Sequence, residues 1–134
     1  MGELGKALVK RIHVDHPEAR IVLVDLRSGL LTEAGLLGDN VLCIQADMTS
    51  IETLKEVSCH KARLVLLASG NDAFNLEAAY KIVQLNPQTE IWVRLHHNGL
   101  ADLMDLSRKP NLHFFSPYQQ AADAIAGRLL QEEK

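Results

Sequence analysis

Two short stretches decide how this chain reads: Gly2-Glu3-Leu4-Gly5-Lys6-Ala7-Leu8-Val9, and Ile21-Val22-Leu23-Val24-Asp25. The first is a tight glycine turn opening into a helix. The second is four apolar residues in a row ending on a carboxylate. Gly5 and Asp25 stand about 20 positions apart, the separation used by a dinucleotide-binding βαβ unit. In such a unit one glycine lets the backbone approach a pyrophosphate and another lets the helix pack on the sheet. The helix N-terminus then offers free N–H groups and partial positive charge to the phosphates. A carboxylate at the tip of the next strand accepts the ribose hydroxyls and repels a 2′-phosphate, which favours NAD or plain adenine nucleotides over NADP. The full fingerprint has three glycines after a hydrophobic strand. Gly2 and Gly5 fit its second and third, so the first glycine and first strand are expected upstream of Met1.

Working outward, the chain alternates helical and strand patterns. An apolar stripe over 6–13 is spaced for a helix, and 21–24 reads as a strand buried on both faces. Ser28 caps a short helix that Gly38-Asp39-Asn40 stops. Residues 41–44 form the next strand, with Asp47 just past it. Thr49 or Ser50 then caps a helix through Ile51, Leu54 and Val57, with Thr49 and Glu52 at capping-box spacing. Residues 64–68 are the most hydrophobic strand and are expected at the centre of the sheet. The loop Ser69-Gly70-Asn71-Asp72 leads to a helix over about 73–85 that ends at Asn86-Pro87. A strand over 91–95, a turn at His96-His97-Asn98-Gly99 and a short helix over 100–106 come next. A strand over 112–115 follows, and Ser116-Pro117 opens a last helix to about Leu130.

This alternation implies crossover units and a parallel sheet. The fold class is therefore α/β, a doubly wound Rossmann-type parallel sheet whose first strand is missing from the chain. Residues 1–134 are read as one domain, a fragment of a longer protein. Without that strand, the sheet is expected to have a gap between the strands ending at Asp25 and Ala68. Three outcomes stay open: a preceding segment supplies the strand, the two flanking strands pair directly, or another chain donates it.

Composition agrees with this class and excludes others. The 134 residues are 47% hydrophobic and only 4% aromatic, so the core must be built from Leu, Val, Ile and Ala, as in helix-covered parallel sheets. The net charge of −3 and the lack of a basic run point away from nucleic acid. No apolar run approaches the ~20 residues of a membrane span, and the N-terminus reads directly as a helix rather than a signal peptide. Cys43 and Cys59 match no zinc or redox spacing and are read as a reduced pair. The adjacent His96-His97 make a poor metal site. Ser58-Cys59-His60 are sequence neighbours only, and Tyr80-Lys81 lacks a dehydrogenase Tyr-x-x-x-Lys spacing.

Ligands of an open parallel sheet bind outside the carboxyl ends of its strands. This chain puts there Gly2 and Gly5, Asp25 and Arg27, Asp47, Ser69, Asn71, Asp72 and Arg94, with Asn75 one turn into the following helix. These are amides and a guanidinium for phosphate, and acids for hydroxyls or an adenine amine. Each also has a structural reading. Arg94 either pairs with a carboxylate or meets phosphate, Asn71 and Asp72 either cap the helix or line the site, and Asn75 either points back to the site or stays solvated. With no catalytic acid, base or substrate domain visible, the chain reads as a binding module rather than an enzyme.

In order and spacing, Gly2 to Gly5, Val24-Asp25, Gln45-Ala46-Asp47-Met48-Thr49, Ala68-Ser69-Gly70-Asn71-Asp72 with Asn75, and Ile91-Trp92-Val93-Arg94 resemble the TrkA-N, or RCK N-terminal, nucleotide-binding domain. Ala46 departs from the glycine usual in that family. The resemblance implies a cytoplasmic regulatory domain at the inner face of the membrane. Such domains bind NAD(H), ATP, ADP or AMP and gate a potassium channel, potassium-uptake system or cation/proton antiporter, in the same chain or a separate one. It implies a homo-oligomer, with the last helix (Tyr118, Ala121, Ala122, Ile125, Ala126, Leu129) either packing on a second subunit or covering its own sheet. Carried over by position, Gly2 and Gly5 face the phosphates, Asp25 the ribose and Asp47 the adenine, while Asn75 and Arg94 line the pocket. The rival readings are an NAD-dependent oxidoreductase fragment and an assembly module that binds no nucleotide.

Overall fold

The computed structural model describes residues 3–25, 40–96 and 109–132. Helix α1 (Glu3–Asp15) is followed by strand β1 (Ile21–Asp25), and after 26–39 by strand β2 (Val41–Gln45). Helix α2 (Ile51–Glu56), a 3-10 turn at Cys59–Lys61, strand β3 (Leu64–Leu67) and helix α3 (Asp72–Leu85) come next. Strands β4 (Glu90–Arg94) and β5 (Leu112–Phe115) lead to helix α4 (Pro117–Glu132). The helices expected over Ser28–Leu37 and 100–106 lie outside the described residues.

All strand pairs are parallel, in two sheets: β1 with β2, and β3-β4-β5. Among the described residues no pairing joins the two, so β1 and β3 do not pair directly. The strand 64–68, expected at the centre, stands at the edge of its sheet, and β4 is the central strand. Its sequence is the most apolar, but a central place requires a partner on each side.

The core lies where the strand alternation predicts one face to be covered. Val65, Leu67, Ile91, Val93 and Leu112 point to one side, where Leu76, Ala79, Ile82 and Val83 of α3 pack on them. On the other side, Leu4, Leu8 and Ile12 recur every four residues along one face of α1. With Leu64, Leu66, Trp92, Phe115 and Pro117 they line a cavity of about 290 Å³. Trp92 stacks on its register neighbour His113 with ring centroids 4.6 Å apart.

Strand β1 departs from expectation. Its four apolar residues predict burial on both faces, yet Val22 is 45% exposed and Ile21, Leu23 and Val24 are only half-buried. Val22 and its register partner Leu42 are both exposed, so one face of this pair is uncovered among the described residues. Both strands of this pair start from a shared anchor, Ile21 N–H to Asn40 O (3.0 Å) and Asn40 Nδ2 to Pro17 O (2.9 Å).

Turn chemistry sets the element ends. Asn71 Oδ1 accepts from Phe74 N–H (3.0 Å) to cap α3, and Asn86 before Pro87 ends it. The cap of α2 is Ser50, which accepts from Thr53 N–H at 3.5 Å. The Thr49–Glu52 capping box therefore does not form, because Thr49 is held by Asp47. At the far end of α2, Ser58 adopts a left-handed backbone (φ 57°), uncommon for a residue with a Cβ.

Candidate functional site

The carboxyl ends of β3 and β4 meet the N-terminus of α3, and Asn75 holds them together. Its side chain is fully buried, and both its amide nitrogen and its amide oxygen are paired within the protein. Nδ2 donates to Ser69 O (3.0 Å) and to Arg94 O (2.9 Å), and Oδ1 accepts from Ser69 Oγ (2.6 Å). Ser69 Oγ also accepts the Asn71 N–H (3.3 Å). The sequence reading left Asn75 either lining a pocket or solvated. It points back into the site, buried rather than solvated, as an internal brace between two strand ends, since burial of an unpaired amide is costly and pairing removes that cost.

Arg94 ends β4 beside this brace. Its Nε is buried and has no hydrogen-bond partner. A buried guanidinium N–H without an acceptor is an open donor. Asp72, in the first turn of α3, is committed elsewhere: its carboxylate accepts the His96 N–H (2.8 and 3.0 Å) and lies 2.8 Å from His96 Nδ1. Asn71 caps the helix, while Asp72 holds His96. The His96 ring lies 5.7 Å, centroid to centroid, from Tyr118 in the first turn of α4. His96 thus links the site loop to the last helix. Sequence reading passed it over as a turn residue, and no spacing signal marks a contact to a residue 24 positions away.

Asp47 lies beyond β2, exposed, and accepts from Thr49 Oγ1 (2.7 Å) and Thr49 N–H (2.8 Å). These two bonds hold its carboxyl below the usual carboxylate range. The carbonyl of Thr49 in turn receives Lys81 Nζ, which also meets Glu77 Oε1 at 2.9 Å. Gly5 sits in the first turn of α1. Gly2 and Arg27 lie outside the described residues, as do the side chains of Asp25 and Cys43. The structure thus brings together Ser69, Asn71, Asp72, Asn75 and Arg94 around one helix start.

The groups gathered there are hydrogen-bond donors and acceptors. The Ser69 hydroxyl donates to an amide oxygen rather than to a base. Cys59 is half-buried and free, and burial pushes its thiol up, away from thiolate at neutral pH. Among the described residues no group of three or more His, Cys, Asp or Glu could hold a metal. No described helix is long and apolar enough to cross a membrane.

The sequence matches the family model of the TrkA-N domain over residues 1–108, most of the chain. Strand β5 and helix α4 lie beyond that match. Among solved structures, the chain is similar to the NAD(P)-binding domain of an exopolyphosphatase-related protein from Archaeoglobus fulgidus. The two share a TM-score of 0.75 at 15% identity, over 97% of this chain and 92% of that one. At this identity the likeness is one of fold, a Rossmann-like α/β arrangement. No curated protein matches the sequence.

Proposed function

We propose, since the chain belongs to the TrkA-N domain family, that it binds NAD(H) or an adenine nucleotide at the carboxyl ends of its strands and passes the ligand state to a cation-transport partner. The observation that carries this reading is Arg94 Nε, a buried donor with no acceptor at the carboxyl end of the central strand β4. A phosphate oxygen supplies the acceptor it lacks. The similar solved domain is described as NAD(P)-binding, which supports the same class of ligand. Gly5 at the start of α1 suits the phosphates, and Asp25 at the end of β1 suits the ribose.

The role is regulatory rather than catalytic, at the cytoplasmic face of a membrane whose pore or carrier lies in another domain or chain. The route out of the site runs from Asp72 through His96 to Tyr118. Helix α4 then leaves Tyr118, Ile125, Leu129 and Leu130 exposed, an apolar stripe suited to a second copy in a homo-oligomer. Nucleotide binding at Arg94 biases this stripe and so the transport partner.

Titration calorimetry with NAD, NADH, ATP, ADP and AMP tests the reading. At least one of the five is expected to bind. Arg94→Gln is expected to weaken it by roughly 10- to 100-fold, the loss of one charged hydrogen bond. Asp25→Ala is expected to weaken every ligand that carries a ribose. Absence of heat with all five overturns the proposal. Unchanged affinity in Asp25→Ala removes the ribose contact alone.

A further inference from the structure

Both bonds that Asp47 receives from Thr49 fall on one carboxylate oxygen, Oδ1. Among the described residues its other oxygen, Oδ2, has no hydrogen-bond partner, and the residue is exposed. A carboxylate accepts on both oxygens, so one is spent on orientation and the other is open. Strand register places it. Gln45 at the end of β2 pairs with Asp25 at the end of β1, and Asp47 stands two residues further out.

Thr49 orients Asp47 only if Thr49 is itself held. Lys81 Nζ donates to the Thr49 carbonyl oxygen across 32 positions. Lys81 belongs to α3, whose apolar face is buried in the core, and Glu77 one turn earlier holds the same ammonium at 2.9 Å. Met48, between Asp47 and Thr49, packs on that core as well. The turn is thus tied to α3 at two points, whereas among the described residues no strand pairing joins β2 to the β3-β4-β5 sheet. The ammonium also adds to the two Thr49 bonds in holding the Asp47 carboxyl low. Turn bonds alone orient the carboxylate relative to Thr49. The tie to α3 orients it relative to Arg94.

We infer that Lys81 is a positioning residue, which through Thr49 sets the Asp47 carboxylate at the nucleoside end of the ligand and so selects the base. This rests on nucleotide binding as proposed above. With phosphate at Arg94 and ribose at Asp25, the base extends past the end of β2, where Asp47 stands. An adenine amine donates to a carboxylate, and the carbonyl that replaces it in hypoxanthine repels one. Lys81 lies nine residues after Asp72, about 13 Å further along the helix, so it acts through Thr49 rather than on the phosphates.

Calorimetry on the full chain tests this with AMP, the portion common to NAD, NADH, ATP, ADP and AMP, beside IMP and inorganic pyrophosphate. The unaltered protein is expected to prefer AMP over IMP by about tenfold or more, the range of a hydrogen bond to a charged group. Asp47→Asn is expected to remove the preference, since an amide turns either its N–H or its oxygen to the base. Lys81→Met is expected to cut it to about twofold or less and Lys81→Arg to keep it, with pyrophosphate affinity unmoved in both. An undiminished preference in Lys81→Met overturns the positioning role and leaves the nucleotide reading standing. Equal losses for AMP, IMP and pyrophosphate mean that Lys81 only supports the fold, and overturn it too. Equal affinity of the unaltered protein for AMP and IMP removes the base contact and the inference with it. AMP that fails to bind also overturns the inference, and the nucleotide reading falls only if NAD, NADH, ATP and ADP fail as well.

Discussion

The pair β1–β2 and the sheet β3-β4-β5 are built from the same residue types and end up differently. Val22 and Leu42 are 45% and 59% exposed, whereas Ile91, Val93 and Leu95 are fully buried. Hydrophobicity makes a strand able to be buried, but neighbours on both edges and a helix on its face are what bury it. Strand β4 has β3 and β5 beside it and α3 across it. Among the described residues, strand β1 pairs with β2 alone. The candidate site follows the same division. Its half at β3 and β4 is fixed by the Asn75 brace, while its half at Asp25 rests on the less covered pair.

Mutations in matched positions break or sharpen this contrast. Ile91→Ala in the filled sheet is expected to cost about 3–4 kcal/mol in urea unfolding. Val22→Ala in the open pair is expected to cost less than about 1 kcal/mol, because much of that side chain is already in water. Equal losses would erase the distinction between the two regions. Next in size, Asn75→Ala leaves Ser69 O and Arg94 O without their shared donor, for about 2–3 kcal/mol. Because the brace sets the spacing of the two strand ends, nucleotide affinity is expected to fall with it, read by calorimetry on the folded variant.

Most of the fold was legible before any tertiary information. Strand positions, the Asn86-Pro87 stop and the Ser116-Pro117 start all fall where local chemistry places them. The carboxyl-end set around Ser69 to Asp72 and Arg94 was legible too, from strand ends in a parallel alternation. The division of labour within it was not. Asp72 is taken by His96, 24 positions away, and Asn75 by Arg94 O, 19 positions away. No local pattern encodes either bond.

Two smaller effects probe the connections outside the filled sheet. Ser58→Gly relieves a left-handed backbone at the end of α2 and is expected to stabilise the fold by up to about 1 kcal/mol, seen as a raised urea midpoint. The smallest effect is that of pH at Asp47. Its carboxyl is held low in the folded state by Thr49. Its contribution is therefore present above the unfolded value of about 3.9 and is lost as pH falls through the lower folded value. Asp47→Asn is expected to flatten the acid limb of a stability–pH curve below about pH 4 and leave the neutral region alone.

Among the described residues, the sequence by itself determined which segments are helices and which are strands, about where they stop, and that the strands run parallel. These follow from side-chain periodicity and turn residues acting over a few positions. Tertiary structure alone decided that, among the described residues, β3 pairs on one side only, that β1 stays half-covered, and that Asn75 braces two strand ends. Those outcomes depend on which distant segments close onto each other. An apolar run reads the same whether its edges are filled or open.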